Sequence, residues 1–451
     1  MKTLDSAVRA LRGTLVWFHD DPFVNDDAMR VVEDGIVAMA GGRIVASGPA
    51  SEVLPALPPG VRPMSYGRSL ILPGFVDAHI HYVQAQIVGS CGAQLLDWLD
   101  RYTFNAEQAF AEVLHSEAIA RFFCDELLRH GTTTAVTFCA VYPQSVEAVF
   151  GEAERRNMRL IAGKVLMDRN APAALTDTAQ KGYDDSKTLL EKWHGRGRLL
   201  YAITPRFAGS SSPEQLEAAG ALWREHPDAY LHSHLAENLA EVAWVRQLFP
   251  DALDYVDVYE RYGLLGPRAL YAHGIHLSER ELGRLAATGT AIAHCPTSNL
   301  FLGSGLFRLH AARKHGIHVA LGTDIGAGTS YSLLKTMGDA YKVAQLNGQT
   351  LTAAQAYYTA TLGAARALRL DDRIGALEPG YEADLVVLDV AATPALQLRT
   401  RNADGVEDLL FALMILGDDR AVRATYIAGE LAHDRDADAQ PRRPEVDAAR
   451  P

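Results

Sequence analysis

Leu72-Pro73-Gly74-Phe75-Val76-Asp77-Ala78-His79-Ile80-His81 is an apolar run that turns polar at its end. It reads as a buried strand, and side chains two apart on a strand share a face. His79 and His81 therefore stand roughly 6–7 Å apart at Cα, near enough for two imidazoles to meet one ion. Neutral imidazole is the commonest metal ligand among side chains. A lone His-x-His also arises as a pair of satisfied core histidines, so its weight depends on what the rest of the chain supplies.

Similar apolar runs recur downstream. Eight strand candidates cover residues 75–80, 133–138, 159–166, 199–204, 229–234, 269–273, 291–295 and 318–323, with helical stretches such as 116–130 and 213–225 between them. Alternating strands and helices argue for βαβ units and a parallel sheet. Eight such repeats over about 260 residues match the size of a (β/α)8 barrel. A doubly wound open sheet is the rival, and no Gly-x-Gly-x-x-Gly follows an early strand to support it.

The flanks read differently. Residues 35–48 are two short apolar runs around Gly41-Gly42, a hairpin signal. Residues 54–63 are proline-rich and read as a linker. Two more β-rich stretches lie at 382–389 and 422–431. The expected architecture is α/β: a (β/α)8 catalytic barrel over 71–375, and a small β-sandwich domain built from 1–70 and 376–433. Residues 434–451, rich in Asp, Ala, Arg and Pro, are expected to be a disordered tail.

Composition narrows the class. The 451 residues are 48% hydrophobic, enough for a large core. The formal net charge of −12, without basic stretches carrying interleaved aromatics, argues against nucleic acid as a partner. No 18-residue apolar run suggests a membrane span, and residues 1–13 hold no apolar signal core. Cys91, Cys124, Cys139 and Cys295 are scattered without a Cys-x-x-Cys pair. All four are expected to be reduced, buried and apolar in role, as in a cytoplasmic enzyme.

In a (β/α)8 barrel the active site lies at the C-terminal strand ends. His79 and His81 end the first strand, and Arg206 and Phe207 follow the fourth. His232 and His234 end the fifth, with Glu237 just beyond. His273 ends the sixth, with His276 after it. Asp324 follows the eighth, within Leu321-Gly322-Thr323-Asp324-Ile325-Gly326. Three His and an Asp form a credible donor set for zinc with a position left for water. Each residue alone has a plainer explanation: a strand-end Asp often caps a helix, and His232 can simply pack. Together, at four of eight strand ends, they point to a metal site.

These motifs resemble those of the amidohydrolase superfamily. Pro73 to His81 matches its opening motif. Ser233-His234-Leu235-Ala236-Glu237-Asn238, Ala272-His273, His294-Cys295-Pro296-Thr297-Ser298-Asn299 and Gly322-Thr323-Asp324 match its deaminase and chlorohydrolase branch. Within that branch, 92–99, Tyr102-Thr103-Phe104, 163–172 and 202–208 are most similar to the guanine deaminases, over roughly residues 10–433.

The resemblance implies one Zn²⁺ per chain, held by His79, His81, His234 and Asp324. It implies hydrolytic deamination of guanine to xanthine and ammonia, in purine catabolism or salvage. Asp324 would take the first proton from water, Glu237 would carry a proton to N3, and His273 would steady the oxygen. The substrate contacts implied are His81, Gln84, Arg206, Phe207, His234, Glu237 and Asp324, with Trp98 a candidate wall. A cytoplasmic homodimer is implied, with no membrane or nucleic-acid partner. The alternative is the same chemistry on another amino-heteroaromatic base: a pterin, a triazine or an oxidised purine. A non-catalytic relative would be expected to lose ligands, and ring-opening hydrolysis would bring a carbamylated lysine and two metals.

Several other residues have simpler readings. His115-Ser116-Glu117 lacks the Pro-Cys-x-x-Cys that cytidine-type deaminases need, and reads as a solvated helix. Lys164 falls near the third strand and reads as structural. His294 reads as supporting the site rather than ligating, and His310, His315 and His318 as surface or packing residues.

Overall fold

The computed structural model describes residues 8–92 and 94–438. Their sixteen strands form two sheets. The first four are β1 (Arg9–Phe18), β2 (Met29–Ala40), β3 (Arg43–Pro49) and β4 (Met64–Pro73). Next come β5 (Phe75–His81), β6 (Thr132–Phe138), β7 (Arg159–Gly163), β8 (Val165–Leu166) and β9 (Leu199–Pro205). Then follow β10 (Tyr230–Leu235), β11 (Ala269–His273), β12 (Ala291–His294) and β13 (Val319–Leu321). The last are β14 (Leu385–Leu388), β15 (Val422–Ile427) and β16 (Glu430–Asp434).

Strands β5, β6, β7, β9, β10, β11, β12 and β13 run parallel in that order, with β8 a short extension beside β9. The ring closes where His81 N donates to Ile325 O and Asp324 N donates to His79 O, both at 2.8 Å. Closure needs Gly322, because a Cβ there would lie 2.8 Å from the His79 Cβ and 3.0 Å from its backbone. Asp77 reinforces the same seam, accepting from Thr323 N, Thr323 Oγ1 and His79 N. Inward-facing small and branched residues such as Val76, Ala78, Val136, Ile161, Ala202 and Ala320 fill the barrel. The helix Leu362–Ala367 packs on this inner cluster. The barrel is thus a packed core, and only its polar strand ends are open to chemistry.

The chain ends build one seven-stranded sheet in the order β16-β15-β14-β4-β1-β2-β3. Its pairs are antiparallel except β1 with β4. The β2–β3 turn is Gly41-Gly42, both at positive φ, as the hairpin signal requires. A buried charge cluster joins the sheets. Arg159 pairs with Glu382, and Arg198 pairs with both Glu382 and Asp384.

Three local expectations need correction. The proline-rich stretch is not all linker, because Ala50–Ala56 is helical and buries Ala50 and Val53. Cys91 is exposed, since it lies on a surface loop rather than in the core. The tail begins later than residue 434. Asp434 ends β16, and Arg435–Asp438 is a helical turn. There Arg435 Nη1 donates to Arg420 O and pairs with Asp389. The rest of the expected tail, 439–451, lies outside the described residues.

Candidate metal and active site

The polar residues singled out in the sequence meet at the C-terminal mouth of the barrel. The local backbone aims them there. His273 and Asp324 adopt positive φ (73° and 52°), as does Ala236 (47°) just before Glu237. His and Asp tolerate this region better than most residues, and such outliers concentrate at functional sites.

At the centre, His81 Nε2 lies 3.2 Å from His79 Nε2 and 3.2 Å from His234 Nε2. The Asp324 Oδ1 lies 3.1 Å from His79 Nε2 and 3.4 Å from His81 Nε2. Ligand atoms about 2.0–2.1 Å from a tetrahedral zinc are about 3.3–3.4 Å from one another. These four separations, 3.1–3.4 Å, are close to that geometry. His234 Nδ1 donates to Arg206 O at 2.7 Å, which leaves Nε2 a bare lone pair. Burial pushes the pKa of His79, His81 and His234 down, favouring the neutral rings that ligate.

A slightly wider set, His79, His234, His273 and Asp324, has ligand atoms all within 4.8 Å of one another. It leaves out His81 and takes in His273. The His273 Nε2 is 3.8 Å from Asp324 Oδ2 and 3.4 Å from Glu237 Oε2. Burial would lower its pKa, but Glu237 and Asp324 outweigh this and raise it. Its Nδ1 contacts Asn299 Oδ1 at 2.8 Å. Burial also opposes ionisation of Asp324, yet His79 and His273 hold its pKa below the ordinary range. Glu237 goes the other way: burial raises it to about 7, with His273 opposing and Asp324 adding to the rise. Two carboxyls in one site are thus set for different tasks.

The cluster forms one side of a cleft of about 440 Å³, counted to its open mouth. Gln84, Trp98, Arg206, Phe207 and Glu237 also line it. Every proposed substrate contact from the sequence is therefore brought to one cleft. Phe207 is packed as well, tilted against Trp244 with ring centroids 5.9 Å apart.

Sequence reasoning missed three supports. Glu107, on the short helix Phe104–Gln108, is fully buried and accepts from Arg206 and Gln84. Glu241 accepts from the Glu237 and Asn238 backbone N–H groups and from Tyr255. Its only signal was a capping box, Asn238 to Glu241. His232 does more than pack: its Nε2 lies 2.8 Å from His79 Nδ1. Other residues are excluded by position. Lys164 is buried against Asp177, His276 Nε2 contacts Ser304 O, and His315 pairs with Glu279. His115 is half-buried against Phe110 rather than solvated.

With the geometry in place, comparisons with known proteins extend it. Residues 70–432 match the model of the Amidohydrolase family. The chain is 48% identical to guanine deaminase of Escherichia coli, over 96% of this chain and 100% of that protein. The solved structure of the E. coli guanine deaminase superposes with a TM-score of 0.93, at 49% identity over 95% of this chain and 100% of that one. The guanine deaminase from C. acetobutylicum, solved with guanine bound in its active site, gives a TM-score of 0.85 at 28% identity, over 94% and 100% of the two chains. The chain belongs to the amidohydrolase family.

Proposed function

We propose that this member of the family hydrolyses guanine to xanthine and ammonia, using one zinc ion held by His79, His81, His234 and Asp324. The observation that carries this reading is a single cleft lined by Arg206, Gln84 and Glu237 together with His81, His234 and Asp324 of the convergent His/Asp group. The extent of similarity to guanine deaminases supports the choice of base.

A divalent metal held by these residues would supply Lewis acidity and make water a stronger nucleophile at neutral pH. The residues do the rest. Water adds to C2 of guanine, and Asp324 accepts a proton as the C–O bond forms. Glu237, protonated through its raised pKa, donates to N3. C2 then carries OH and NH2. His273, 3.4 Å from Glu237, steadies the oxygen. The hydroxyl proton passes through the carboxylates to the amine, the C2–N bond breaks, and ammonia leaves as C2=O forms. An amine leaves poorly as an anion, so a positioned acid is needed. Arg206 faces the C6 carbonyl, Gln84 the adjoining edge, and Phe207 the ring.

The test is ammonia release from zinc-loaded protein on a panel of guanine, adenine, cytosine, pterins and triazines. Guanine is expected to be the best substrate and adenine a poor one, because adenine would leave the buried Arg206 donors unmet. Adenine turned over as fast as guanine would overturn the reading. A cytoplasmic homodimer belongs to the same proposal, and light scattering of purified protein tests the dimer.

A further inference from the structure

We infer that Glu107 is a specificity-determining positioning residue, which locks Arg206 and Gln84 into the one hydrogen-bonding pattern that reads guanine. The inference rests on the proposed deamination of guanine and goes beyond it, since Glu107 itself does not line the cleft.

Glu107 is fully buried, a costly place for a carboxylate unless it is paired. Both of its oxygens accept from Arg206 Nη1, at 2.9 and 2.8 Å, and Oε1 also accepts from Gln84 Nε2 at 2.9 Å. Phe104, one turn earlier on the same helix, lies 5.9 Å from the Arg206 guanidinium carbon. One short helix thus holds two residues that come from distant strand ends. Arg206 commits a single nitrogen to Glu107 and lines the cleft, with the other donors of its fork left for a ligand.

The effect on Gln84 is sharper. An ionised carboxylate accepts only, so it requires the nitrogen of the Gln84 amide. Gly326 N donates to Gln84 Oε1 at 3.2 Å, which requires the oxygen on the other side. The two partners agree, and the amide cannot turn over. A base edge therefore meets a fixed order of donors and acceptors. With a neutral amide at 107, either group could face Gln84, and Gly326 N alone would hold that order.

The experiment compares guanine with 2-aminopurine, which carries the same amine at C2 but lacks the C6 carbonyl and the N1 hydrogen. In Glu107→Gln, kcat/KM for guanine should fall about 10–100-fold, mostly through KM, as charge-assisted hydrogen bonds are lost. For 2-aminopurine it should change by less than about threefold, and metal content should hold. In Arg206→Ala, adding Glu107→Gln should cost less than it does alone, because part of its effect passes through Arg206. If Glu107→Gln does not fold, Glu107→Asp, one methylene short, should show the same selective loss. Parallel loss for both bases, or unchanged guanine kinetics, would overturn the inference while the wild-type reaction stood. Wild-type protein inert on guanine would overturn the reaction itself and this inference with it.

Discussion

Two buried clusters of ionisable groups sit in this molecule, and they are built on opposite plans. Where the barrel meets the small sheet, Arg159 and Arg198 face Glu382 and Asp384, so two positive charges meet two negative ones. At the barrel mouth, three neutral imidazoles and a carboxylate turn their lone pairs toward a common point. The first cluster cancels its own charge. The second offers its lone pairs to a cation. Burial alone therefore does not mark a site; what marks it is a convergence of lone pairs on one point.

The largest expected effect comes from removing the cation. Stripping metal with a chelator, or making Asp324→Ala, should lower turnover on the order of 10⁴-fold or more, beyond what an acid–base group alone supplies. Zinc should restore the stripped wild type but not the variant. Elemental analysis should find about one metal per chain in the wild type and much less in Asp324→Ala. Full activity in metal-free protein would break the contrast between the clusters.

Glu237→Gln should keep the metal and the fold and lose about 10²–10⁴ in kcat. The amide preserves shape while removing the acid. Near-normal turnover would move the proton carrier elsewhere, with His273, 3.4 Å away, the next group to test.

The interface cluster should respond in the other currency, stability. Arg198→Met leaves two buried carboxylates facing one Arg, and breaking a buried pair in this way costs about 3–5 kcal/mol. Urea unfolding should show that loss, while kcat and metal content per folded molecule stay near wild type. A variant as stable as the wild type, or one that loses metal, would blur the distinction.

The sequence shows the mouth cluster far better than the interface cluster, for a physical reason. His79, His81, His234 and Asp324 stand at the ends of apolar runs, where a polar residue is conspicuous and barrel geometry gives it a place. The eight-fold alternation of apolar runs also made the barrel readable, to within a residue or two for most strands. Arg159, Arg198, Glu382 and Asp384 look like ordinary surface charges until the chain ends fold back against the barrel. Glu107 was hidden likewise: a Glu in a short helix looks solvated, and only the tertiary fold places Arg206 against it. Which of His81 and His273 joins the ligand set was likewise beyond spacing arguments, because both stand within 4 Å of Asp324.

The smallest effect is one of slope, and here the two clusters should differ in sign. Glu382 is raised by burial, but Arg198 and Arg159 outweigh this and hold its folded pKa below the ordinary value. Such a group stabilises the fold above the unfolded pKa of about 4.3, and that stability is lost as pH falls through the folded value. Glu237 has its folded pKa raised to about 7, chiefly by burial. Its contribution is present below the unfolded pKa of about 4.3 and is lost as pH rises through 7. Unfolding free energies of metal-free protein, measured from pH 4 to 8, should therefore separate two variants. Relative to wild type, Glu237→Gln should gain stability as pH rises toward 7, because the wild type alone carries the cost of a carboxyl kept from ionising. Glu382→Gln should lose least at the acid end, because there the wild type begins to lose what the carboxylate supplies. Parallel curves for both variants across this range would show that the two carboxyls sit in equivalent environments, and the opposition between the clusters would fail.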